Sequence, residues 1–467
     1  MCRFAGCLTI MLLLIWGSCS DSQHKAPTED SEQNSTEGIV QDSPFSPEFI
    51  LQYHDPEKTD DGITLFAVQG GEETFEHPYW VDFGYMAAIP MAANGRRDDE
   101  ILPIWIFADF DGGPFSFLDL LSDGRILTMR GAQGGELMSE IDPHVPETVF
   151  TYDDVMMNHF ATILPDGNLL GIWSEFTDHE TYGYDFDEDG DKEIRTESIR
   201  VLTPEGEALW DWSVFENDPD APVTEQYVTL TEWWSNCNAV SFTPTDTWTE
   251  GDPLEGDIYL NCRLLNRLYD IEYPSGEIRW IMGDGGDFGE GFFYHSHDPH
   301  ISFDRDKSGE RIATRILLYD NREAPPLGNA EPCPPDETCK ERISRYSRVI
   351  EVVADADLNA EIVWKWPSPS EPDFDDYHFY SPIGGGVTPL GNGNILITNA
   401  TEGGNPYLND VVRGRLLEVV PDGSLTGAEV VWDVAFNKNY GSYRAIRLPK
   451  DTTDAWRPHL IPPNPNE

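Results

Sequence analysis

The chain has 467 residues and carries 85 acidic against 30 basic side chains, a net charge of −55. That balance excludes nucleic acid as a partner, because little is available to neutralise phosphates, and it requires a local basic pocket for any anionic substrate. The length exceeds a simple small domain and suits several domains or one large repeat architecture.

Residues 1–18 hold one positive charge at Arg3, an apolar run from Leu8 to Trp16 and small residues before Cys19. This is the pattern of a secretory signal too short to span a membrane. Cys19 after Gly17-Ser18 resembles the acylated cysteine of a bacterial lipoprotein, which predicts an exported cell-envelope protein touching the membrane only through a lipid anchor. Residues 19–45 are polar and aperiodic and read as a disordered tether. Residues 46–100 read as a short N-terminal β extension, residues 100–450 as the regular body, and residues 451–467 as a proline-rich tail.

Helical periodicity is nearly absent from the body. A short unit recurs instead: apolar strand, Pro/Asp/Gly turn, apolar strand. It appears around Gly124, Gly167, Gly206, Gly276, Gly393 and Gly423, in two forms. One resembles Gly167-Asn168-Leu169-Leu170; the other leads into a tryptophan, as at Trp210, Trp280, Trp364 and Trp432. Repeated hairpins with aromatic residues at matching places predict an all-β chain folded as a six-bladed β-propeller, with the tryptophans packed between blades.

Along the body, Asp185, Asp187, Asp189 and Asp191 stand at alternate positions with glycine at the sixth place, the beginning of a Ca²⁺-binding loop without flanking helices. A structural Ca²⁺ on the propeller rim is the expectation. Four cysteines lie beyond Cys19, and their spacings match no zinc motif. Cys333 and Cys339 read as closing a small loop, and Cys237 and Cys262 lie on segments that could be neighbouring strands, so an exported chain is expected to carry both as disulfides. His295, His297 and His300 fall within six residues, just before a hairpin formed by 301–303 and 312–319. Alternation along an extended segment would put His295 and His297 on one face, and imidazole is the side chain suited to nucleophilic, acid–base or ligating work near neutral pH.

Taken in order, several passages resemble the bacterial arylsulfotransferase family over roughly residues 100–450. They are Asn236 to Phe242 with Asp257 to Gly283, Phe293-Tyr-His-Ser-His-Asp298 with Tyr319-Asp-Asn321, Ser347 to Trp366, Tyr380 to Ile397, and Ser442 to Pro449. The resemblance implies a site in the axial channel, where a histidine takes a sulfuryl group from an aryl sulfate and passes it to a phenol without metal or cofactor. It implies His378 as the nucleophile, with His297 and Arg322 as further catalytic residues. Asn236, which stands where the family has a histidine, is expected at the substrate together with His159, His295 and Arg263. Asparagine can donate a hydrogen bond to a sulfate oxygen but cannot carry a proton. A second reading is therefore a non-catalytic, envelope-anchored propeller that binds a ligand or protein. Nothing in the sequence fixes an oligomeric state.

Overall fold

The computed structural model describes residues 49–456 apart from 71–83, 96, 109–114, 131–136, 145–146, 153–156, 179–192, 222–232, 290, 322–346, 368–378, 382–383, 403–412, 437–439 and 455. All of them belong to one compact unit, Pro47–Glu467. It is a six-bladed β-propeller; its sole described helix is the single turn Val214–Asn217.

Blades 2 to 5 are regular four-stranded antiparallel meanders, each beginning at its inner strand. The inner strands are Phe115–Leu120, Met157–Ile163, Cys237–Pro244 and His297–Arg305. Blade 6 runs from Gly386–Pro389 outward to Ala428–Phe436 and then adds Phe49–His54 and Glu100–Ile101 at its outer edge. Blade 1 is composed of Gly62–Gly70, Gly84–Pro90 and Trp105–Ala108, with the C-terminal strand Ala445–Pro449 paired inside them. Residues read from the sequence as an N-terminal extension thus pair into the ring, because their apolar faces complete blades 6 and 1: Phe49, Phe66, Ala87 and Ile101 are buried together with Trp432 and Phe436.

The six sequence units are all hairpin turns. Gly124, Gly167, Gly206, Gly276, Gly393 and Gly423 have φ between +79° and +88°, a conformation that glycine adopts without steric cost. The two forms separate by position: the first joins strands one and two of a blade, the second joins strands three and four. The tryptophans therefore fall on fourth strands, and from three of those strands an indole N–H reaches the next blade, with Trp212 serving beside Trp210 in blade 3. Trp212 donates to the Gly276 carbonyl at 3.0 Å, Trp364 to Gly427 at 3.1 Å and Trp432 to Met91 at 2.8 Å. A buried indole needs such a partner, and here the partner locks neighbouring blades together.

A buried polar joint seals the ring. Glu418, fully buried in blade 6, pairs with Arg447 of the C-terminal strand at 2.9 Å and accepts from the Asp60 backbone N–H at 2.7 Å and from Asn394 Nδ2 at 2.6 Å. Charge and hydrogen bonds together make burial of this carboxylate tolerable.

Candidate functional site in the axial channel

The inner strands of blades 2 to 5 each begin with a register irregularity, at 115–117, 157–161, 237–239 and 297–300. Bulges of this kind re-aim side chains. Three channel-side residues at these beginnings, His159, Asn236 and Asp298, have left-handed backbones with φ of +59°, +45° and +53°.

In blade 5 the histidine cluster divides. His295 also has a positive φ, +56°, so the segment is not extended there and His295 and His297 do not share a strand face as alternation predicted. His295 is buried, its ring stacked on Tyr294 at 4.1 Å and its backbone N–H bonded to Asn266 Oδ1 at 2.8 Å. His297 opens the strand and is 4% exposed. Its Nδ1 lies 2.6 Å from Asn321 Oδ1, while Asn321 Nδ2 donates to the carbonyls of Ser381 and Gly384 at 2.7 and 2.6 Å. Asp320 fixes the loop ahead of the histidines, accepting the Tyr294 N–H at 2.8 Å and pairing with Arg348 at 2.7 Å. Burial holds the His297 imidazole well below its ordinary pKa, and the charge of Arg263 lowers it further, against the opposing effect of Asn321.

Blades 3 and 4 supply the facing groups. His159 keeps some accessible surface, yet its pKa is pressed to about 3, first by burial and then by the charges of Arg195 and Arg263. Asn236 is joined to Arg263 in two ways. The Asn236 carbonyl accepts the Arg263 N–H at 3.0 Å, and the next residues, Cys237 and Cys262, are directly paired across the strands and form a disulfide. Behind Asn236 lies Glu197, fully buried, which accepts hydrogen bonds from the Ser235 hydroxyl and from the Cys237 N–H at 3.1 Å. Burial pushes the Glu197 carboxyl up to about 7, with Ser235 and Arg195 opposing. Arg195 bonds Ser174 Oγ at 2.7 Å and lies 4.2 Å over the Trp233 ring.

Tyr443, from the C-terminal segment, joins the two halves. Its ring centroid is 5.6 Å from that of His297 and 6.5 Å from that of His159, which in turn is 5.7 Å from Trp233. The result is a row of four rings contributed by separate parts of the chain, with the Arg263 charge acting on both imidazoles. Such a surface presents neutral imidazoles and fixed cations to a planar anionic ligand.

Of the residues expected from the sequence, His159, His297, Asn236 and Arg263 meet here, and His295 packs on Tyr294. The Cys237–Cys262 disulfide is present. His378, Arg322, Cys333, Cys339, Cys19 and the Asp185, Asp187, Asp189, Asp191 loop lie outside the described residues. Among the described residues no group of His, Cys, Asp and Glu is arranged to hold a metal ion. Sequence reasoning missed the roles of Asn321, Glu197 and Tyr443. Asn321 and Tyr443 did stand in the passages that carried the resemblance, but one sequence does not separate a channel tyrosine from a core one.

None of the curated proteins searched matches the chain. Among solved structures it is similar to a protein of unknown function from Bacteroides caccae, at 14% identity over 83% of this chain and 99% of that one, with a TM-score of 0.40. A functionally unknown protein from Desulfotomaculum acetoxidans gives 8% identity over 79% of each chain and a TM-score of 0.35. A Lactobacillus plantarum protein gives 9% identity over 86% of this chain and 100% of that one, with a TM-score of 0.36. At these scores the likenesses carry no argument. Residues 118–444 match the family described as Arylsulfotransferase (ASST), a span that takes in the inner strands of blades 3 to 6 and ends on Arg444. On that match the chain belongs to the arylsulfotransferase family.

Proposed function

We propose that the channel moves a sulfuryl group from an aryl sulfate to a phenolic acceptor by way of a sulfohistidine, with His378 as the carrier by its order in the sequence. Family membership supports a sulfotransferase in general. The observation that carries the finer reading is the pair of neutral imidazoles, His297 and His159, both against the Tyr443 ring with the Arg263 charge acting on both. Cationic groups stabilise charge on the sulfuryl oxygens and on the departing aryl oxygen, and a carrier imidazole divides one transfer into two easier steps. Arg322, Asn236 and Arg263 are assigned to the sulfate. The same proposal places the protein at the cell envelope, anchored through Cys19.

Asn236 favours a second reading, a propeller that binds without catalysis, since asparagine cannot replace a histidine in proton transfer. One assay separates the two. Purified protein is given a chromogenic aryl sulfate with and without a phenol and without nucleotide, beside His378→Ala and His297→Ala. Acceptor-dependent release that both variants lose is the expected result. Release without acceptor would indicate hydrolysis, and no turnover over a broad donor panel would leave the binding propeller.

A further inference from the structure

Asn321 has a function that neither family membership nor the proposed reaction assigns. Its amide orientation is unambiguous, because only an NH₂ group can donate to two carbonyls, and Nδ2 sits 2.7 Å from Ser381 O and 2.6 Å from Gly384 O. Oδ1 is therefore the atom facing His297 Nδ1 at 2.6 Å, and as an acceptor it requires the proton to be on Nδ1. Nε2 then carries the lone pair, and among the described residues nothing hydrogen-bonds to it. Arg263, His159 and Arg444 are the charged or titratable groups acting on the ring beside Asn321; the two guanidinium charges disfavour a second proton in the resting state, in which His159 is itself neutral.

A sulfate oxygen only accepts hydrogen bonds, so a ring held in this tautomer does not hold sulfate through Nε2. It offers instead a site for a proton. We infer that Asn321 is a positioning residue that fixes His297 with Nε2 bare, and that Nε2 takes the proton of the acceptor phenol in the second half of the reaction. The inference rests on the sulfuryl-transfer reading above. In that step the phenol oxygen forms its bond to sulfur while the bond from sulfur to the carrier nitrogen breaks and its electron pair returns to that nitrogen. The phenolic proton passes to His297 Nε2, giving an imidazolium that later releases it to water. Even an imidazole of weakened basicity suffices, because the phenol oxygen becomes strongly acidic as its bond to sulfur forms.

The test has two parts, both on the full chain. In ¹⁵N-histidine-labelled protein, with His297→Gln used for assignment, the long-range couplings of His297 should show a proton on Nδ1, and Asn321→Ala should abolish that preference. A proton on Nε2 in the unsubstituted protein would overturn the inference. Transfer from one aryl sulfate is then measured to phenols of graded acidity. In Asn321→Ala and His297→Gln the acceptor-dependent step should fall by about 10²-fold for weakly acidic phenols, less for acidic ones, and by more than the donor-dependent burst. His297→Gln keeps the bulk and a hydrogen bond to Asn321, so it reports even if Asn321→Ala folds poorly. Equal losses in both half-reactions, or an unchanged dependence on phenol acidity, would sink the role of Asn321 and His297 while leaving sulfuryl transfer intact. No transfer by the unsubstituted protein would remove the sulfuryl-transfer reading, and this assignment with it.

Discussion

Asp298 and Arg444 form an ion pair 2.6 Å long, with both side chains 6% exposed or less, and each is the immediate neighbour of a channel ring: His297 in one case, Tyr443 in the other. Asp298 Oδ2 also accepts the Val387 N–H at 3.0 Å, so the pair ties blade 5, blade 6 and the C-terminal segment at one point. Removing one member of a buried pair leaves an uncompensated charge and costs about 3–5 kcal/mol. Arg444→Met is expected to lower the urea unfolding free energy by that amount, and the double variant with Asp298→Asn to recover part of it. Additive losses in the double variant would show that the pairing is not what matters.

Glu197 supplies a pH dependence of stability. Its pKa is raised from 4.5 to about 7, first of all by burial. The folded protein therefore binds this proton more tightly than the unfolded chain does. The contribution is fully present below the ordinary carboxyl range and is lost as pH rises towards about 7. Roughly 3 kcal/mol is at stake for a shift of this size. Unfolding midpoints at pH 5 and pH 8 should thus differ in the direction of lower stability at pH 8, and Glu197→Gln should shrink the difference. Asp270, also raised to about 7 by burial and the neighbouring Asp257, should act in the same sense when replaced by Asn.

The Cys237–Cys262 disulfide closes a separation of 25 residues, for which loop-closure entropy gives about 3 kcal/mol. Cys262→Ser should cost about that much in unfolding free energy. Because the bridge lies next to both Asn236 and Arg263, it should also weaken binding of an aryl sulfate, measured by calorimetry. A variant that loses stability and retains unchanged affinity would separate the disulfide from the site.

The indole locks are modest one by one. Trp212→Phe preserves most of the apolar contact and leaves the Gly276 carbonyl without its donor, an expected loss of about 1 kcal/mol. Denaturant titration with an unchanged slope would register it; a loss several times larger would mean that the ring, not the N–H, makes the joint.

The propeller was legible in the sequence because its repeated turn demands a glycine at one left-handed position, and because tryptophan recurs on the fourth strand of successive blades. Both are local signals. The site was legible only where it was local too. His297 and the Asp320-Asn321 pair stood in one passage, and the directly paired Cys237 and Cys262 lay on adjacent strands. Alternation failed at His295 because a left-handed residue breaks the period of two, and nothing in the side-chain pattern announces that. Tyr443 arrives from 146 positions beyond His297, and Glu197 from 39 positions before Asn236. Such juxtapositions are made by ring closure and strand registry, which have no signature in neighbouring letters.

Blade 1 takes its inner strand from Ala445–Pro449, and blade 6 takes outer strands from the N-terminal side of the chain. During translation the first-made strands must therefore wait for the last. Tyr443 and Arg444 emerge with that final strand, so the row of rings does not exist on a nascent chain. The chain leaves the ribosome with its central row of rings still unassembled, and any truncation before residue 443 yields a propeller that is both open and without that row.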